Sequence, residues 1–207
     1  MVFKQYLKDK NEFFGLEFFA KASSDKGYIY HILPYEGKGF EFDKKIGLGG
    51  IILKKFSTTH ENNSYHFTFD NYYANIFSIS NLYNNKIDFT CAFLSIRKGF
   101  PETIKNIKIE KGENKLFEFN NSNIIFYFCK PKENQVQFIF NKYSAKMVKY
   151  KNKIKPEVVA YYNLSKSGVD LLDMGTIILV HKEKVKKDGN PFFLYFRYFN
   201  EKYFNHL

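Results

Sequence analysis

Two kinds of side chain have the type and spacing to act on a charged substrate: carboxylates at the ends of elements and a long series of lysines. The run Tyr65-His66-Phe67-Thr68-Phe69 alternates at the strand period and ends in Asp70. It reads as a half-buried strand handing a carboxylate to its C-terminal edge, where open α/β sheets keep their chemistry. Asp70, or Asn71 beside it, is also placed to cap a helix starting nearby, because an Asp or Asn oxygen satisfies the orphan N–H groups of a first turn. Farther on, Asp170 and Asp173 stand one helical turn apart. Lys146, Lys149, Lys151, Lys153 and Lys155 form a basic ribbon. In a strand their alternating spacing puts several ammonium groups on one face. Arg97-Lys98 and the charged run with Lys182, Lys184, Lys186 and Lys187 add to the basic set.

The balance of charge says what such lysines meet. The 207 residues carry a formal net charge of +11, which points to a polyanion, most simply nucleic acid. Of 32 basic residues only Arg97 and Arg197 are arginines. Arginine's planar fork reads guanine edges, whereas lysine acts as a point charge toward phosphate, so this balance favours the backbone over sequence reading. An AT-rich genome would also write Lys, Asn, Ile, Phe and Tyr and could inflate both charge and aromatics; the nucleic-acid reading is preferred because the charge is a net surplus not matched by acids. Cys91 and Cys129 lie in strand-like apolar runs and make no zinc spacing. No apolar run is long enough to span a bilayer, and the polar, lysine-bearing stretch Met1 to Lys10 lacks the apolar core of a secretion signal. A cytoplasmic or nuclear protein with no membrane partner is expected.

The elements that must position these residues follow from pattern. Phe13 to Ala22 and Tyr28 to Leu33 flank turn residues and predict a hairpin. Ile46 to Phe56 predicts a helix despite its glycines, which suit close packing better than phosphate binding because the nucleotide-loop spacing is absent. A helix over Asn75 to Asn85 and a strand over Ile87 to Ile96 follow. Short strands are expected at Ile107 to Ile109, Lys115 to Phe119, Ile124 to Cys129 and Val136 to Phe140, with turn residues between them, as an antiparallel β insertion. Beyond Pro156, helices are expected over Glu157 to Lys166, from Ser167, and over the aromatic-rich Pro191 to Leu207. The expected fold is α/β, a mixed sheet with flanking helices and an antiparallel β insertion. Residues 1–96 form the first part of the core, 97–155 the β-rich insertion and 156–207 its helical completion.

Four short motifs stand in one register: Phe69-Asp70-Asn71-Tyr72-Tyr73; Arg97-Lys98-Gly99-Phe100-Pro101; Lys155-Pro156-Glu157-Val158-Val159 with Tyr162-Asn163; and Gly168-Val169-Asp170-Leu171-Leu172-Asp173. In order and spacing the chain resembles piggyBac-type transposases from about Gly15 onward. The resemblance implies a ribonuclease H-like core whose aspartates hold two divalent metals for strand cleavage and transfer. It matches Asp70 to the second catalytic aspartate, Asp170 to the third and Asp173 to an accompanying acid. The first falls in a pattern like Ala-Asp-Ser-x-x-Gly-Tyr, which here reads Ala22-Ser23-Ser24-Asp25-Lys26-Gly27-Tyr28. A neutral hydroxyl at Ser23 cannot supply the anionic oxygen that paired metals need, and only a shifted strand end would let Asp25 replace it.

The expectation is therefore a catalytically inactive, transposase-derived nucleic-acid binder with no metal or other cofactor, Mg²⁺ entering only if the acidic site is retained. The family's long preceding segments and following Cys-rich module are not matched in these 207 residues. With the dominance of lysine, this tips the expected partner toward structured RNA, such as ribosomal RNA on a ribosome held idle. The alternatives are a DNA-binding derivative acting on chromatin or genome rearrangement, and a still-active metal-dependent strand-transfer enzyme using Asp25, Asp70, Asp170 and Asp173.

Overall fold

The computed structural model describes residues 4–6, 14–37, 43, 45–58, 65–110, 113–119, 122–128, 135–166 and 194–203. Strand β1 (Lys4–Tyr6) pairs with the start of β2 (Phe14–Ser23), and β2 turns back into β3 (Ile29–Pro34). The turn needs a residue in the left-handed region, and Gly27 fills it at φ 64° while its N–H donates to the Ser23 carbonyl at 3.1 Å. Helix α1 (Gly47–Ser57) leads to β4 (Tyr65–Phe69), α2 (Ile76–Asn84), β5 (Asp88–Phe93) and the one-turn α3 (Glu102–Lys105). Strands β6 (Asn114–Phe119), β7 (Ser122–Phe128) and β8 (Gln135–Phe140) form a meander. The hairpin β9 (Met147–Tyr150) and β10 (Lys153–Pro156), helix α4 (Glu157–Ser165) and strand β11 (Leu194–Tyr203) complete the described chain.

One mixed sheet holds nine of these strands in the order β1-β2-β11-β4-β5-β8-β7-β6, with β3 on β2; β9 and β10 stand apart as a ribbon. The expected meander is thus hydrogen-bonded in line with the core through the antiparallel β5–β8 pair. Ile107 to Ile109, expected as a strand, is irregular chain after α3. The larger correction is at the C-terminal end, where the helix expected over 191–207 is instead strand β11 across 194–203. Phe and Tyr are strand-favouring residue types, and the backbone of β11 lies between β2 and β4 with both edges paired.

Alternation assigns each face of the sheet its own helices. Phe67, Phe69, Phe89, Cys91 and Phe93 share one face and pack into a core with Phe19, Ile52, Leu53 and Phe56, and with Ile79 and Leu82 of α2. The opposite face presents Phe138 and Phe140 to Val158 and Val159 of α4. The glycines of α1 serve close approach, as expected: a Cβ at Gly49 would overlap the Tyr72 carbonyl oxygen, and one at Gly50 would crowd Ser78. This brings α1 down onto the turn that follows Asp70.

Candidate functional site

Strand β4 delivers Asp70, exposed, to its C-terminal end. Its Oδ1 accepts the Tyr72 N–H at 2.8 Å, which closes an Asx-type turn and lets Tyr72 and Tyr73 fold back onto Phe19. Helix α2 is capped by neither Asp70 nor Asn71. Asn75 does this: its Oδ1 accepts the Phe77 N–H at 2.9 Å, and its Nδ2 donates to the Ile46 carbonyl at 3.0 Å, tying the entries of α2 and α1 together.

The second motif closes over the first. Arg97 Nη2 donates to the Asn71 carbonyl oxygen at 2.7 Å. Gly99, at φ 85°, passes against Ile76, and Phe100 is buried with its ring stacked on Phe93 at 5.4 Å. Pro101 then precedes α3. Arg97 therefore holds the Asp70 turn in shape, while Lys98 stays exposed.

The third motif reaches the same place from the other face of the sheet. Glu157 Oε2 accepts from the Ser144 hydroxyl at 2.6 Å and its N–H at 3.1 Å, anchoring the start of α4. One turn on, burial pushes the Tyr162 hydroxyl well above its ordinary range, with the negative charge of Asp70 adding to the rise. Burial likewise raises the Cys91 thiol, and Asp70 contributes again. Three sequence-distant elements thus converge around one carboxylate.

Ser23 is placed differently. It is buried at the end of β2; its Oγ donates to Asp25 Oδ1 and accepts the Lys26 N–H at 3.3 Å. That hydrogen bond holds the Asp25 carboxyl below its ordinary value. Register fixes the distance to Asp70: Ser23 is level with Glu201 of β11 and, through it, with Phe67 of β4, three residues short of Asp70. At 3.3 Å per residue and 4.8 Å per strand spacing, the two Cα atoms are roughly 14 Å apart. The turn carrying Asp25 lies beyond Ser23, on the side away from Asp70. Asp170 and Asp173 lie outside the described residues, as do Lys182, Lys184, Lys186 and Lys187.

The lysine ribbon is a hairpin, which changes how its charges are displayed. Lys151 and Asn152 both have positive φ (44° and 41°), the signature of a type I′ turn. Cross-strand partners are Tyr150 with Lys153, Lys149 with Ile154, and Val148 with Lys155. Partners share a face, so Lys153 and Lys155 lie with Tyr150 while Lys149 lies on the reverse. The turn between Tyr150 and Lys153 breaks the alternation, so Lys149 faces away from Lys153 and Lys155. The Lys151 and Lys155 ammonium groups sit 5.5 and 5.7 Å from the Tyr150 ring centre.

Sequence reasoning missed a buried cation. Lys21, only 2% exposed, donates to the Phe56 carbonyl at the end of α1 at 3.3 Å and lies over the Phe67 ring. The alternation of Phe19, Lys21 and Ser23 was its available signal, since it turns Lys21 toward the same side as the core residue Phe19.

The family described as Transposase IS4 matches residues 1–194, nearly the whole chain. The chain belongs to the piggyBac-type transposase family. Among piggyBac-type relatives, human PiggyBac transposable element-derived protein 3 is 25% identical over 192 residues, covering 82% of this chain and 31% of the relative. The human chimeric ERCC6-PGBD3 protein matches equally over 17% of its length. The chain therefore spans less than a third of the curated relatives it matches. A piggyBac transposase synaptic complex with hairpin DNA has the same fold, with a TM-score of 0.74 and 23% identity over 86% of this chain and 37% of the solved one. The four motifs that suggested a piggyBac-type core are thus placed in a chain of that family.

Of the residues that the resemblance assigns to a two-metal centre, only Ser23 and Asp70 are among those described. Asp70 is a carboxylate, but Ser23 is neutral, distant and bonded within its own turn. Among the described residues no three His, Cys, Asp or Glu side chains come together as a metal-ligating group. No described helix is long and apolar enough to cross a membrane.

Proposed function

We propose that this chain is a piggyBac-derived DNA-binding core whose strand-cleavage chemistry is silent, acting on chromatin or in genome rearrangement. The carrying observation is Ser23: a hydroxyl stands where the resemblance puts the first catalytic aspartate, it is turned onto Asp25, and it lies three register positions from Asp70. Paired metals need carboxylates that bridge ions about 3.5–4 Å apart, and this pair cannot close that distance. The sheet is read as ribonuclease H-like in descent, with β11 between the strands carrying Ser23 and Asp70.

Affinity on this reading comes from lysine. The net charge of +11 rests on side chains suited to phosphate contact, and six neutralised phosphates give a salt slope of roughly −5 on duplex DNA. DNA is preferred to RNA because the solved relative of the same fold carries DNA. The test has two arms. Purified protein is incubated with DNA ends in Mg²⁺ or Mn²⁺, with no cleavage expected; cleavage that vanishes in Asp70→Asn would return the chain to the enzymes. In the second arm, chromatin association sensitive to DNase supports the DNA reading. Sedimentation with ribosomes that resists DNase and yields to RNase would replace it with the RNA one.

A further inference from the structure

The ribbon lysines, similar in sequence, are divided by the hairpin into two unequal groups. Residues 149 and 151–154 are all exposed, so the tip stands clear of the sheet. One face carries Tyr150, Lys153 and Lys155, with the tip residue Lys151 leaning onto the same ring. The reverse carries Lys149 among Met147 and Ile154, the latter 68% exposed. No carboxylate among the described residues forms an ion pair with any of the four lysines.

We infer that the Tyr150 face of the β9–β10 hairpin is a phosphate-tracking surface for duplex DNA, engaged through Lys151, Lys153 and Lys155, with Lys149 outside the contact. This rests on the DNA reading above and specifies which side chains serve it. The argument is one of charge complementarity and preorganisation. Three ammonium groups gathered on one face of a type I′ hairpin meet a line of phosphates together. The Tyr150 ring gathers the Lys151 and Lys155 ammonium groups without neutralising them, since a cation over an aromatic face keeps its charge. Lysine makes these contacts as a point charge, so the surface is indifferent to sequence. The reverse face offers one ammonium beside exposed apolar groups and has no such array.

The test measures affinity for a 20-base-pair DNA duplex by fluorescence anisotropy across a salt series. It compares wild type, Lys149→Gln, and the triple variant Lys151→Gln/Lys153→Gln/Lys155→Gln. Each lost phosphate contact flattens the slope by about 0.9, so the triple variant is expected to flatten it by between two and three while Lys149→Gln follows wild type. All four positions are on the hairpin, and unchanged thermal melts confirm that the comparison is made on folded protein. A wild type that binds with a steep slope, beside a triple variant with the same slope or a Lys149→Gln variant equally impaired, overturns the face assignment and leaves the DNA reading intact. A wild type whose binding is absent or indifferent to salt overturns both.

Discussion

The Arg97 guanidinium and the Asn71 carbonyl meet at 2.7 Å, joining the loop after β5 to the turn after β4. These motifs lie 26 residues apart in the chain, and this contact gives them one shape around Asp70. A charge-assisted hydrogen bond of this kind contributes about 1.5–3 kcal/mol. Arg97→Ala is expected to lower the urea midpoint accordingly. Arg97→Lys should recover only part, because a flexible ammonium does not reproduce the planar donor. Equal midpoints for all three proteins would show that the contact holds nothing.

Asn75 caps α2, and Asp70 does not. Asn75→Ala should cost about 1 kcal/mol or more, since it removes the acceptor for Phe77 N–H and the donor to Ile46 together. Asp70→Asn retains an oxygen for Tyr72 and is expected to melt near wild type. Thermal melts of the two variants decide the order.

Gly49 and Gly50 are expected to resist the usual benefit of alanine in a helix. Replacing an interior helix glycine by alanine ordinarily gains up to about 1 kcal/mol. At Gly49 the new methyl would meet the backbone oxygen of Tyr72, which cannot swing aside. Overpacking of this kind costs about 1–3 kcal/mol, so Gly49→Ala should be destabilising on balance. Equilibrium unfolding of this variant, read against alanine at an exposed helical position such as Lys54, measures the difference.

The Ser23–Asp25 hydrogen bond has a pH signature. It lowers the folded-state carboxyl pKa below the unfolded one, so the bond adds stability above the unfolded value, about pH 4, and loses it as pH falls through the lower folded value. Ser23→Ala should move the Asp25 carboxyl titration upward in an NMR pH series and remove that share of acid sensitivity. A titration unchanged by the substitution would mean that the hydroxyl does not hold the carboxylate.

Much of the centre of the molecule was legible from pattern. The β2–β3 hairpin, α1, α2, the meander and α4 follow from period and turn chemistry, because local signal and burial agree there. Three things were not legible. The segment with Leu194, Phe196 and Tyr198 has an aromatic density that fits a helix as well as a strand, and only the open edges of β2 and β4 decide between them. Lys149 reads as equivalent to Lys153 until two positive-φ residues reverse the chain between them. The capping role passes from Asp70 to Asn75 because the Asx-type turn at Asp70 delays the helix beyond where composition alone would start it. In the first two cases the deciding constraint is a partner far off in sequence or a backbone angle, and in the third it is a local side-chain turn that competes with capping.

Strand β11 has a consequence for how the chain is made. It sits between β2 and β4, yet it is synthesised after every other described element. Until it emerges, β2 and β4 each present an unpaired strand edge, and edges of that kind are templates for wrong partners. Closing the sheet requires contacts of very long sequence separation, which form slowly. The nascent protein therefore passes through an interval in which its sheet is still open between β2 and β4. A chaperone that shields strand edges, or slow delivery of the preceding residues, would act at that interval and not on the finished fold.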